Sequence, residues 1–243
     1  MNIIKLDAID STNDYLKSLL SSMSVKNFTI VTANYQLKGR GQMGSSWYSK
    51  NSKNLICSLY LSNTYAGFIN QFHISIVVSL AIKKTLDDFN IPKISIKWPN
   101  DIMSGNKKVC GILIENLVNK NKIKDIIIGI GLNVNQTDFS NLPNASSLKK
   151  IMGVNYNIEE IISKIYENIQ YYLSFFFKSR LDLLNDTYKN SIYRVNKPST
   201  FVLDNQKAIS GFIRGVNELG KLVLEIEDNK IVSFGIKEIS LVN

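Results

Sequence analysis

Residues 38–47 read KGRGQMGSSW, and Gly39, Gly41 and Gly44 within them spell G-x-G-x-x-G. In a dinucleotide-binding βαβ unit this pattern leaves a strand and enters a helix, whose N-terminus receives the pyrophosphate. An acidic residue for the ribose follows about 20 positions on. Here the loop lies between FTIVTANYQ (28–36) and NLICSLYL (54–61), both with the β-branched and aromatic richness of strands. The nearest downstream acid is Asp87, and Gly44 is followed by Ser45 rather than by the Lys-Ser/Thr of a Walker loop. The loop therefore joins strand to strand. It offers an anion its backbone N–H groups and the Arg40 guanidinium, and Trp47 adds a flat face for a base.

Outward from the loop, the pattern alternates strands and helices. Ser11 before NDYLKSLLSSM predicts a capped helix, with Asp14 placed to reach back and Leu16, Leu19, Leu20 and Met23 at helical spacing. A helix is predicted from about Ile69 to Phe89, then strands at 93–98, 109–115 and 124–134, the last nearly all apolar and so central. Asn157 and Glu160 open a further helix through YENIQYYLSFFFKS, and a shorter one follows near 180–189. From about Tyr193 short alternating strands take over, separated by Asp204-Asn205, Glu218-Leu219-Gly220 and Asp228-Asn229. The expectation is an α/β (α+β) chain with a mixed sheet and packed helices over 1–189, and a small barrel-like antiparallel β domain over 190–243.

Composition narrows the chemistry. With 44% hydrophobic residues over 243 positions, the chain can bury a substantial core. Apolar runs such as Ile74–Ile82 are too short for a bilayer span, and Asp7 and Asp10 interrupt the start where a signal peptide would be apolar, so a cytoplasmic protein is expected. Two cysteines, Cys57 and Cys110, and one histidine, His73, give no zinc or disulfide framework, and no metal ligands are assigned. His73 reads as a helix-face residue and Cys57 as interior packing. The net charge of +9 is concentrated early: no Asp or Glu occurs from Tyr15 to Leu86, a span that holds Lys17, Lys26, Lys38, Arg40, Lys50, Lys53, Lys83 and Lys84. An anionic partner, or a solvated basic face, accounts for that excess.

A second stretch, KWPNDIMSGNKKVCGILIE (97–115), adds to the loop. Pro99 sets a turn that leaves Lys97, Asn100 and Asp101 at a strand end, and the SGNK tip returns the chain so that Lys108 can face the same cleft as Lys97. Gly111 within one strand, and Gly129 and Gly131 within IGIGLNVN beside Asn133, mark either bulges or a close approach of ligand or backbone.

Five motifs in order, DSTN (10–13), YQLKGRGQMGSSW (35–47), KWPNDI (97–102), KKVCGILIE (107–115) and GIGLNVN (129–135), resemble those of the biotin protein ligases. The resemblance implies a catalytic domain of the class II aminoacyl-tRNA synthetase/biotin ligase fold, with an SH3-like β-barrel after it. It also implies ATP, Mg²⁺ and biotin as ligands, with biotinyl-5′-AMP formed and biotin then passed to a lysine of a biotin carboxyl carrier protein, a domain of acetyl-CoA carboxylase or a related enzyme. Carried over residue by residue, Ser11, Thr12 and Gln36, with Asn13 beside them, would hold the ureido end of biotin. Backbone at Gly39, Arg40, Gly41 and Gly111 would line its pocket. Arg40 and Lys108 would meet the biotin carboxylate and α-phosphate. Trp47 would cover the adenine and Asn133 would read it, Asp101 would receive the acceptor lysine, and Lys97 and Asn100 would serve the phosphates or the metal shell. The physics agrees: joining two anions needs charge cancellation and alignment, not a protein nucleophile.

Two positions depart from the family pattern. Gln42 stands where the best-known members carry a second arginine, which bears on retention of the adenylate. Cys110 replaces a small residue and reads as packing. The DNA-binding domain of some members has no counterpart before Ser11, so no DNA partner is expected, and either a monomer or a homodimer fits. Lipoate or octanoate attachment, a nucleic-acid-binding protein and a non-catalytic biotin binder remain as alternatives.

Overall fold

The computed structural model describes residues 1–62, 71–119, 122–177 and 180–242. Twelve strands and five helices occur in them, in the order β1 (Asn2–Ile9), α1 (Thr12–Ser22), β2 (Thr29–Gln36), β3 (Leu55–Leu61), α2 (Gln71–Asp88), β4 (Ile94–Lys97), β5 (Asp101–Ser104), β6 (Lys107–Asn119) and β7 (Lys122–Leu132). Then come α3 (Leu148–Met152), α4 (Ile158–Phe177), α5 (Leu181–Ser191), β8 (Pro198–Leu203), β9 (Ala208–Val216), β10 (Leu222–Ile226), β11 (Lys230–Phe234) and β12 (Ile239–Leu241). The predicted start of α2 at 69 and 70 lies outside the described residues.

The first seven strands form one mixed sheet in the order β1-β2-β3-β7-β6-β5-β4. Only β1 and β2 run parallel, with α1 as the crossover between them, and every other neighbouring pair is antiparallel. Strand β1 was not foreseen; its partly exposed edge position leaves NIIKLDAI without the apolar run that marks a central strand. β3 is buried at every residue, as its central position requires.

The period of two divides the sheet into unlike faces. One face carries Cys57, Leu59, Ile128, Ile130, Cys110 and Ile112 into the main core, where α2, α4 and α5 cover it. Both cysteines are therefore core residues, and burial pushes the Cys57 thiol up to about 12 and the Cys110 thiol higher still, so neither is a thiolate at neutral pH. On the opposite face α1 packs Leu16 against Val31, Tyr60 and Ile127, covering only part of the sheet. Beyond the first turn of α1 that face carries Ile56, Gly131, Gly129, Gly111 and Leu113, and the sheet is open.

Strands β8 to β12 form a separate antiparallel sheet in the order β11-β10-β9-β8-β12. This is the small antiparallel β domain expected, and among the described residues its sheet is open rather than closed into a barrel: β11 and β12 lie at opposite edges, and β12 has only three residues with which to pair. The small sheet is joined to the large one directly. Tyr193 N donates to Ile96 O at 2.8 Å, Trp98 Nε1 donates to Gly220 O at 3.0 Å, and Gly220 packs so closely on Phe72 that a Cβ there would lie 3.0 Å from its Cγ. His73 sits on α2 edge-on to Phe176, a packing position, and burial pushes its imidazole pKa below the usual value. Among the described residues no helix is long and apolar enough to cross a membrane.

Candidate active site

The open part of the sheet is the floor of a cavity of about 310 Å³, the lower end of the range for small-molecule sites. Ser11, Thr12 and Asn13 reach it because they form the N-terminus of α1, with Asp14 N donating to Ser11 Oγ at 3.4 Å. The other half of the predicted capping box is replaced: the Asp14 carboxylate accepts from Arg40 rather than turning back to the cap.

The glycine loop forms the roof. It folds as a miniature hairpin, with Arg40 bridged to Ser46, Gly41 N donating to Ser45 O at 2.7 Å and Trp47 N donating to Gly39 O at 2.9 Å. A Cβ on Gly39 would lie 2.4 Å from Trp47 O, so bare backbone is needed for the two arms to meet. Gly44 has φ +81°, a conformation that suits glycine. The loop thus needs its glycines for a turn and a close approach, and it brings Trp47 back over the sheet.

Trp47 lies on the floor. A Cβ on Gly131 would be 2.4 Å from Trp47 Cε2, and one on Gly111 would be 3.0 Å from Trp47 Cζ3. These two residues face each other across β6 and β7, so their missing side chains make the seat for the indole. The ring is also within 5.6 Å of Lys108 Nζ, while its own Nε1 is buried without a hydrogen-bond partner among the described residues. An unmet buried N–H favours a ligand that supplies an acceptor or shifts the ring.

Lys108 reaches this side of the sheet because of a bulge. The register of β5 and β6 shifts so that Ile102 pairs with Cys110 and Met103 with Lys108, and Val109 and Cys110 are both turned into the core. Without that extra residue, strict alternation would place Lys108 with Cys110 on the core face. Lys108 Nζ instead pairs with Asp101 Oδ1 at 2.7 Å. Asn100 lines the cavity but uses its Nδ2 to brace the turn, donating to Ile112 O at 2.8 Å.

Gly41 and Gln42 line the same cavity with Arg40, and Ile236, in the turn between β11 and β12, joins the lining. Three predicted residues lie elsewhere. Gly39 borders a second cavity behind the loop. Lys97 faces an apolar cleft of about 260 Å³ between the two sheets, where burial pushes its ammonium pKa down and Asp101 partly restores it. Asn133 is buried at the end of β7, its N–H donating to Val109 O at 2.8 Å, outside the main cavity's lining.

The basic excess is largely neutralised by acids from other segments. Lys38 pairs with Asp10, Lys50 with Asp138, Lys17 with Glu115, and Lys83 and Lys84 with Asp87 and Asp88 one turn on. Arg40 is held by Asp14 Oδ1 at 2.6 Å and Glu115 Oε2 at 3.0 Å. Exposed pairs of this kind are worth about 0–1 kcal/mol, so Arg40 can exchange a carboxylate for a ligand anion at little cost.

Glu115 was not singled out by the sequence. It accepts from Lys17 at 2.7 Å and Asn13 Nδ2 at 2.7 Å as well as from Arg40. Burial alone would push its carboxyl pKa up; the bonds from Lys17 and Asn13 and the two cationic charges outweigh this and hold it below its usual value. Behind the lining, Ser58 Oγ lies 2.7 Å from Thr12 Oγ1 and 2.5 Å from Asn13 Oδ1, and Gln36 Oε1 accepts from Thr12 N at 2.8 Å and Thr12 Oγ1 at 3.0 Å.

The comparisons with known proteins agree with this geometry. The chain is 27% identical over 244 residues to the bifunctional ligase/repressor BirA of Escherichia coli, covering 99% of this chain and 74% of that protein. It is 32% identical over 127 residues to the biotin–[acetyl-CoA-carboxylase] ligase of Paracoccus denitrificans, 51% of each chain. The biotin protein ligase of Aquifex aeolicus, solved in complex with biotin and ATP, superposes with a TM-score of 0.83 at 27% identity, over 100% of this chain and 99% of that one. Residues 6–133, more than half of the chain, match the biotin/lipoate A/B protein ligase family, and the chain belongs to that family.

Proposed function

We propose that this protein activates biotin with ATP to biotinyl-5′-AMP, releasing pyrophosphate, and transfers the biotinyl group to a lysine of a biotin carboxyl carrier domain, leaving AMP. The observation that carries biotin over lipoate is the oxygen run at the α1 end of the cavity. Gln36 Oε1, Thr12 Oγ1, Ser58 Oγ and Asn13 Oδ1 make three successive contacts of 3.0, 2.7 and 2.5 Å, while Thr12 and Ser58 supply only two hydroxyl protons. The array is one hydrogen short, so it favours a ligand that brings an N–H. The cyclic urea of biotin has two, and the dithiolane of lipoate has none.

Arg40, held at rest beside α1 by Asp14 and Glu115, and Lys108, across the cavity, are the cations between which the biotin carboxylate attacks the α-phosphorus. Their charges, with the loop N–H groups, offset the repulsion between the two anions and the charge that builds as pyrophosphate departs. Lys108 is paired with Asp101 at rest. When it turns to the phosphate, Asp101 is freed to take a proton from the acceptor ammonium, whose amine then attacks the acyl carbon. The main cavity offers Asp101 as its carboxylate, and among the described residues no group of three or more His, Cys, Asp or Glu forms a metal cage. This donor set fits Mg²⁺ held chiefly by ATP phosphates, where it would neutralise phosphate charge; Asn100 and Asp101 are the protein groups nearest to hand.

In this reading residues 1–189 form the ligase unit, residues 190–243 contribute Ile236 to the cavity lining, and the enzyme works in the cytoplasm, where ATP is supplied. Incubation with ATP, Mg²⁺, biotin and a carrier domain should add one biotinyl group to the carrier lysine by mass spectrometry. A carrier that stays unmodified, with lipoate attached to its lipoyl counterpart instead, would overturn the assignment.

A further inference from the structure

We propose that Glu115 is a positioning residue that fixes which way the Asn13 amide faces, and so keeps the α1 end of the cavity an acceptor for a ligand N–H. The inference rests on the biotin reading above. A carboxylate only accepts, so Asn13 must turn its NH₂ to Glu115 Oε2, 2.7 Å away, and its carbonyl oxygen to Ser58 Oγ. Gly129 makes this arrangement possible, because a Cβ there would lie 2.6 Å from Asn13 Oδ1. Lys17 holds Glu115 by Oε1, and Arg40 shares Oε2 with Asn13; the two cations keep it charged and in place. Glu115 itself is not part of the cavity lining. It acts through Asn13, which sets the demand of Ser58, Thr12 and Gln36 for a proton they do not own.

Glu115→Gln removes that constraint. Once Arg40 leaves that position for a ligand anion, the new amide can donate to Asn13, and Asn13 can then turn its own NH₂ to Ser58, supplying the missing hydrogen from within the protein. The probes are biotin and its cyclic carbonate analogue, in which ring oxygens replace both urea N–H groups. The wild type should prefer biotin, and the variant should lose about tenfold or more of that preference, the scale of one buried hydrogen bond left unmade. Exchanging the pair, with Asn13→Asp and Glu115→Gln together, puts an obligate acceptor back beside Ser58 and should restore the preference.

A merely structural Glu115 would weaken both ligands alike and would not be rescued by the exchange. An unchanged preference in Glu115→Gln, or an exchanged pair that folds without regaining it, overturns the proposal. Should the single variant fail to fold, the exchanged pair decides alone: wild-type preference supports the proposal and its loss refutes it. A wild type that ignores biotin altogether would instead sink the biotin reading, and this inference with it.

Discussion

Replacing Gly131 by alanine should lift Trp47 off the sheet while leaving the fold intact. The added Cβ would stand 2.4 Å from Trp47 Cε2, 2.7 Å from Nε1 and 2.8 Å from Cζ2, so something must move by about an ångström. The strand cannot, since Gly131 is paired on both sides, to Ile56 and to Gly111. The indole sits on a loop and can. Overpacking of this kind costs about 1–3 kcal/mol, which at 1.36 kcal/mol per factor of ten shifts the closed-loop population by roughly 5- to 150-fold. The core on the far face of the sheet is untouched, so circular dichroism should not change.

Two readouts follow the loop itself. Trp47 emission should shift red and become more quenchable by acrylamide, with Trp98 constant because its indole stays bonded to Gly220 O. Tryptic cleavage at Lys38 and Arg40 should accelerate in proportion to the open population. Unchanged emission together with an unchanged cleavage rate would refute the idea that the two strand glycines exist to seat this ring.

Other changes separate the remaining roles. Lys108→Ala should lower the rate of adenylate formation by about 10²- to 10³-fold, the usual cost of removing one group aimed at developing charge, with biotin binding nearly unchanged; equal loss of both by titration and single-turnover kinetics would remove its assigned role. Gln42→Arg adds a charged donor to the cavity lining and should slow escape of the adenylate by about tenfold or more, read as the release rate in a chase with unlabelled biotin. The pH response of Glu115 has a definite sign. Its carboxyl lies below its usual 4.5 in the folded state, so its stabilising contribution is fully present above that value and is lost as pH falls through the lowered one. The difference in unfolding free energy between wild type and Glu115→Gln should stay constant from neutral pH to about 4.5 and close below it; closure between pH 7 and 5 would contradict the depressed value.

Much of this architecture was legible because it is written in local pattern. The strand-to-strand glycine loop, the turn at Pro99 and the apolar run through Ile126–Ile130 each follow from periodicity and punctuation over a few residues. What escaped depends on partners far apart in the chain. Glu115 reads in sequence as one acid in a strand, and its meaning appears only when α1 brings Asn13 and Lys17 to it and the loop brings Arg40. The bulge at Val109 left no mark, since it replaces one apolar residue with two, yet it decides the face on which Lys108 lies. The glycines of β6 and β7 signalled a close approach but not which group approaches. The charge excess misled in part, because the acids that neutralise it, Asp10, Asp14, Glu115 and Asp138, all lie outside the stretch that lacks them.

The most direct measurement of the central claim is exchange of labelled pyrophosphate into ATP with Mg²⁺ and no carrier protein, run in parallel with biotin and with lipoate. Exchange that depends on biotin and not on lipoate is the predicted result, since it requires reversible adenylation at a site that demands an N–H donor. Exchange supported by lipoate alone, or by neither acid while biotin still binds, would contradict it.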